Sequence, residues 1–186
     1  MPSLANRHTK VPLGIVIRRT TGVTRWAKHV WRAVAVLPGA GPANWKELRR
    51  DGDAVEYHAA TVSMDLHAAD AEAYLHGLST QVPCVYVVMR NGESEAPLDV
   101  LLATASPYEG QDYADTGEEL VEKVPMPEGL VALVRDFVAE HHEEETFVKR
   151  KRDRVKVEQV QDGIGDSRIR QTADVFRAPV RREDLH

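Results

Sequence analysis

Residues Pro83–Ser106 read PCVYVVMR, NGESEA and PLDVLLATAS in succession. The first arm is β-branched and aromatic at Val85, Tyr86, Val87 and Val88, and the second carries Leu98, Val100, Leu101 and Leu102. Asn91-Gly92 supplies residues that tolerate positive φ at a turn. The stretch Val82–Ser106 is therefore expected to be a β-hairpin. Both arms are nearly continuous in apolar character, which predicts cover on both faces and a place at the centre of the sheet.

Upstream, Val11–Thr20 reads as a strand with Leu13, Ile15 and Ile17 on one face. Trp26–Leu37 is its expected partner; Trp26, Val30, Val34 and Val36 are placed on one face, and His29, Trp31, Ala33 and Leu37 on the other. Pro38–Pro42 breaks the chain, and Trp45–Leu48 reads as a short helical turn. Ala54–Leu66 alternates as a third strand, with His58, Ala60, Val62, Met64 and Leu66 on one face and Val55, Tyr57 and Ala59 on the other. A helix is expected over His67–Leu78, with Asp65 as its N-cap.

Downstream of the hairpin, Ser106–Tyr113 reads as a loop or short helix. Thr116-Gly117-Glu118-Glu119 has a capping-box spacing and predicts a short helix to Lys123. Pro125-Met126-Pro127 enforces an extended link. Over Glu128–His142, Leu130, Leu133, Val134, Phe137 and Val138 form one apolar stripe at helical spacing. Past Val148 the apolar residues lose any sustained period, and the run Lys149, Arg150, Lys151, Arg152, Asp153, Arg154 begins a basic tail.

The chain has 186 residues, of which 42% are hydrophobic, enough for one domain with a sizeable core. It has one cysteine, Cys84, so it has no intrachain disulfide framework. No apolar run approaches the roughly 20 residues that span a bilayer. Arg18-Arg19 followed by Ala33–Leu37 resembles an export signal, but its uninterrupted apolar core falls short of the roughly 7–15 residues of a secretory signal. The expected location is the cytoplasm, without membrane attachment.

Net charge is −5, but its distribution is uneven. Residues 1–50 hold 10 Lys/Arg against one acid, and residues 51–148 hold 3 against 21. Residues 149–186 hold 11 against 7. The basic first hairpin is expected to fold beside the acidic middle and be partly neutralised there.

No residue set points to catalysis. Cys84 sits in an expected buried strand, where apolar surroundings raise a thiol pKa. Ser106 has no glycine elbow around it. His67 and His76 are nine apart, and His141-His142 are adjacent, so neither pair has the i, i+3 or i, i+4 spacing of helical metal sites. No phosphate-binding glycine motif occurs. The expectation is no catalytic set, no metal site and no cofactor. A single-stranded nucleic-acid module with an OB-like barrel is the first alternative, because Trp26 and Trp31 interleave with basic residues. The acidic middle and an isoelectric point near 5.9 weigh against it. A small-molecule enzyme of unknown reaction is the second alternative.

The run Ser106–Pro127, SPYEGQDYADTGEELVEKVPMP, is distinctive. Together with AEAYLHGL (71–78), VYVVMR (85–90) and FVKRKRD (147–153), it resembles an uncharacterised proteobacterial family, domain of unknown function 3305, over Val11–Arg154. That family's pattern has a cysteine before PYE, where this chain has Ser106, which counts against a thiol mechanism. Family members tend to be encoded beside genes for molybdenum-dependent formate dehydrogenase and its maturation factors. The resemblance thus implies a non-catalytic accessory or adaptor protein that acts by protein–protein contact with a subunit or maturation factor of that enzyme. The expected contact elements are Pro107-Tyr108-Glu109, Pro125-Met126-Pro127 and the tail residues Lys149, Arg150, Lys151, Arg152 and Arg154. For the first two, capping of the core by Tyr108 and Tyr113 and the approach of the last helix are competing structural roles.

The expected architecture is α+β: a mostly antiparallel five-stranded curved sheet or partly open barrel, with a long C-terminal helix and an extended basic tail. The expected boundaries are a disordered N-terminus over 1–10, one domain over 11–148 and a tail over 149–186.

Overall fold

The computed structural model describes residues 7–24, 26, 28–92 and 96–142, which fall in one compact unit, Met1–Glu144. The tail and its basic cluster lie outside the described residues.

These residues form an α+β fold with seven strands and three helices. The strands β1 (His8–Thr21), β2 (His29–Pro38), β3 (Lys46–Asp51) and β4 (Ala54–His67) make an antiparallel sheet of order β2-β1-β4-β3. The strands β5 (Cys84–Asn91), β6 (Leu98–Thr104) and β7 (Leu120–Pro125) make a second antiparallel sheet of order β6-β5-β7. Two separate sheets thus replace the expected five-stranded one, and they do not join into a closed barrel. The hairpin Val82–Ser106 forms, but only its first arm is central; β6 is an edge. The core lies between the sheets. It joins Leu13, Ile15, Ile17, Met64 and Leu66 of the first sheet to Val85, Val87, Met89 and Val124 of the second.

Two extra strands come from segments with misleading local signals. Trp45–Leu48 does not form a helical turn. Trp45 adopts a left-handed backbone, φ 49°, and donates its N–H to Ala59 O at 3.0 Å, which leads directly into β3. Thr116–Glu119 has capping-box spacing but ends a helix rather than starting one. Gly117 takes φ 71° as the C-cap, and the chain continues into β7. Gly92 has no positive φ; it is glycine because the Ala96 carbonyl occupies the space of a Cβ.

Bulges also change which residues share a face. In β2, Ile15 pairs with Val36 while Ile17 pairs with Ala33, which leaves Val34 as the extra residue. Val36 therefore shares a face with Ala33, Trp31 and His29, not with Val30. In β4 the register shift at Ala59 puts Val55 and Tyr57 on the core face with Ala60, Val62, Met64 and Leu66, and sends His58 to the other face. β1 also starts earlier than expected, because His8, Thr9 and Lys10 pair with His67, Leu66 and Asp65.

The helices are α1 (Ala71–Leu78), α2 (Pro107–Thr116) and α3 (Glu128–His141). α1 follows a single 3-10 turn, Ala68–Asp70, and its N-cap is Asp70; Asp65 stays in the sheet. α3 buries Leu130, Val134, Phe137 and Val138 along the apolar stripe. Leu133, counted with that stripe, is exposed. No helix among the described residues is long and apolar enough to cross a membrane.

Acids from the middle of the chain meet the basic first hairpin. Glu56 accepts from Nε and Nη2 of Arg18 at 2.9 and 2.5 Å. Glu122 lies 3.8 Å from Arg32, and Asp65 lies 3.9 Å from Lys10. The uneven charge of the sequence is thus partly cancelled within the fold.

Candidate functional site

Ser106 sets the position of the most distinctive motif. It is buried in an extended conformation, and its Oγ accepts the N–H of Glu109 at 3.2 Å as the N-cap of α2. Pro107 follows at the first helical position, where its missing N–H leaves no bond unmade. The Ser106 hydroxyl is thereby engaged in capping. The resulting first turn presents Tyr108, 54% exposed, and Glu109 to the surface.

These two residues stand on the wall of an open cleft of about 520 Å³. The end of β4 contributes Ser63, Asp65 and His67; α1 and the turn before it contribute Asp70, Ala73 and Tyr74. β6 contributes Leu102, Ala103 and Thr104, and α2 adds Asp112. Four carboxylates, those of Asp65, Asp70, Glu109 and Asp112, therefore line one concavity beside one imidazole and two phenols. Such a lining favours cationic or hydrogen-bond-donating groups.

The cleft is held from below by specific contacts. The His76 and Tyr108 rings stack, with centroids 5.6 Å apart and planes 19° apart. The Tyr74 hydroxyl accepts the N–H of His67 at 3.1 Å. Burial pushes the Tyr74 phenol up from its usual range, so it stays neutral in this role. At Asp65, Ser63 Oγ donates to Oδ1 at 2.5 Å, and this bond, with help from Lys10 and His8, holds the carboxyl below its usual range despite some desolvation.

The other expected contact elements lie elsewhere. Pro125 ends β7 opposite Cys84, Met126 is buried with its N–H donated to Pro83 O at 2.9 Å, and Pro127 is the N-cap of α3. These residues connect sheet to helix and do not line the cleft. Lys149, Arg150, Lys151, Arg152 and Arg154 are outside the described residues. Burial raises the Cys84 thiol, which Lys123 partly opposes, and Sγ donates to Val82 O at 3.2 Å.

One cluster was missed on reading the sequence. His8, Asp65 and His67 place a ligand atom each within 4.8 Å of one another. In sequence His67 and His76 read as members of one helix, whereas His67 ends a strand. Asp65 and His67 at i, i+2 are the legible signal; the third member, His8, comes from the cross-strand pair His8↔His67.

A family model described as "Protein of unknown function (DUF3305)" matches residues 12–151. Neither a curated protein nor a solved structure matches the chain.

Proposed function

The chain belongs to the family described as "Protein of unknown function (DUF3305)", and from that premise we propose that it is a non-catalytic accessory or adaptor protein acting by protein–protein contact. The observation that carries this reading is the position of Tyr108 and Glu109 on an open, carboxylate-lined cleft. An exposed aromatic beside a polar concavity is the kind of anchor that binding surfaces use. Asp65, Asp70, Glu109 and Asp112 suit a basic segment of the partner.

The partner class is a subunit or maturation factor of a molybdenum-dependent formate dehydrogenase. Its support is the gene neighbourhood implied by the sequence resemblance. Protein contact is preferred to single-strand binding because Trp31 is engaged within the fold. Its ring meets Trp45 edge-on at 5.5 Å and Tyr57 at 6.0 Å, so it is not a free stacking platform.

The test is affinity capture from the organism that encodes the chain, using the full-length protein and a Tyr108→Ala/Glu109→Lys variant. The expected result is that the wild type recovers a formate dehydrogenase subunit or maturation factor and the variant does not. Recovery of nuclease-sensitive nucleic acid in its place would support the single-strand alternative. Equal recovery by both proteins would move the contact away from the cleft.

A further inference from the structure

We propose that His8, Asp65 and His67 form a binding site for a divalent transition-metal ion of the zinc, nickel or copper class. The site goes beyond the partner reading and does not require it, although Asp65 and His67 also line the cleft. Its residues lie on one face at the end of the β1·β4 ladder. His8 pairs with His67, Lys10 pairs with Asp65, and Pro12 pairs with Ser63, so Ser63, Asp65 and His67 all project from the face opposite Val11 and Met64. Two imidazoles and one carboxylate favour a borderline-soft ion over magnesium or calcium, which prefer oxygen.

The carboxylate is already oriented for this role. Ser63 occupies Oδ1, which leaves Oδ2 directed at His8, whose Nε2 is 3.5 Å away. A hydrogen bond of this kind fixes the direction of a ligand and supports affinity from outside the coordination sphere. The backbone behind the ligands is fixed too: His67 N–H donates to Tyr74 Oη at 3.1 Å, and Ala68 N–H donates to Arg7 O at 2.9 Å. Asp65 and His67 also line the cleft, so a fourth position would face open space.

One adjustment is required. The two imidazoles stack face to face, 4.3 Å between centroids and 4° between planes. Each nitrogen lone pair lies in its ring plane, so parallel rings do not converge on one ion. A tetrahedral ion with bonds of about 2.0–2.2 Å needs ligand atoms about 3.3–3.6 Å apart. Rotation of the exposed His8 ring brings its lone pair to the ion, and the site closes by about 1 Å. Lys10 Nζ, 3.9 Å from Asp65 Oδ2, competes for the same oxygen and must withdraw.

The experiment uses the untagged full-length chain, stripped of metal by a chelator. Zinc binding is followed by calorimetry, and cobalt substitution by visible absorption. One ion per chain and the bands of a tetrahedral cobalt centre are expected. His8→Gln, a change at an exposed side chain, should lower affinity by about tenfold or more, and Ser63→Ala by about tenfold. Lys10→Met should raise affinity, an effect that a merely structural cluster would not produce. The proposal is overturned if the folded wild type binds neither metal in excess, or if His8→Gln/Asp65→Asn/His67→Gln, with an unchanged circular dichroism spectrum, binds as the wild type does.

Discussion

Gly110 lies on the ring of Tyr86. A Cβ at residue 110 would fall 2.6 Å from Cγ and Cδ1 of that ring, closer than any real side-chain contact. The glycine therefore sets how closely α2 approaches β5, and with it where Tyr108 and Glu109 stand on the cleft.

Replacing Gly110 with alanine forces the helix off the sheet. Gly110→Ala should destabilise the fold by about 1–3 kcal/mol, as overpacking does. Urea unfolding measures this. A variant as stable as wild type would show that α2 does not rest on Tyr86 as described.

Gly14 makes a similar contact on the other sheet, with His58. A Cβ there would fall 2.5 Å from Nε2 of His58 and 2.9 Å from Cβ of Ala40. His58 is buried and has little freedom to yield. Thr61 Oγ1 gives its only proton to Gly41 O at 2.7 Å, so His58 Nε2, 2.8 Å from that hydroxyl, must be the donor to it. Gly14→Ala should cost about 1–3 kcal/mol. Gly14→Ala/His58→Ala should cost less than the sum of the single changes, because removing the ring makes room. A double-mutant cycle with no coupling would refute this packing.

Glu122 of β7 accepts the N–H of Ala33 in β2 at 2.5 Å, joining the two sheets at their edges. Glu122→Ala leaves that N–H without its acceptor in a half-buried place, a loss of about 1–3 kcal/mol. Glu122→Gln keeps an acceptor and should lose less. Similar thermal midpoints for the two variants would mean that water replaces the carboxylate.

Asp65 should be sensitive to acid in a defined direction. Its folded pKa is lowered, chiefly by Ser63, so the carboxylate contributes stability at pH values above the unfolded value of about 3.9. That contribution is lost as pH falls through the lowered folded value. Ser63→Ala removes the main cause and should return the Asp65 titration, followed by the carboxyl carbon resonance, toward that ordinary range. An unshifted titration would assign the lowering to Lys10 and His8 instead.

Local sequence determined much of the architecture. Alternation at Leu13, Ile15 and Ile17 placed a strand, and the β-branched run at Val85–Val88 placed the hairpin's first arm. The stripe Leu130, Val134, Phe137 and Val138 placed the face that α3 buries. Each follows from a period that the backbone enforces on neighbouring side chains. The division into two sheets was not legible, because which strands pair depends on contacts between distant segments. The strand Lys46–Asp51 is exposed throughout and has no apolar alternation to reveal it. The bulges at Val34 and Ala59 each reversed a face assignment, since one extra residue shifts a period of two.

The candidate site divides in the same way. The sequence by itself marked Ser106-Pro107-Tyr108-Glu109 as a distinctive local unit within a loop or short helix; the structure shows that Ser106 caps that helix. It also determined that Asp65 and His67 share a face of any strand that contains them. Tertiary structure alone decided that Tyr108 stacks on His76, that Glu109 and Asp112 line one cleft with Asp65, and that His8 completes a group with Asp65 and His67. The first set depends on bonds and dihedral angles within a few residues. The second depends on strand register and sheet packing, which bring residue 8 beside residue 67 and which no local pattern encodes.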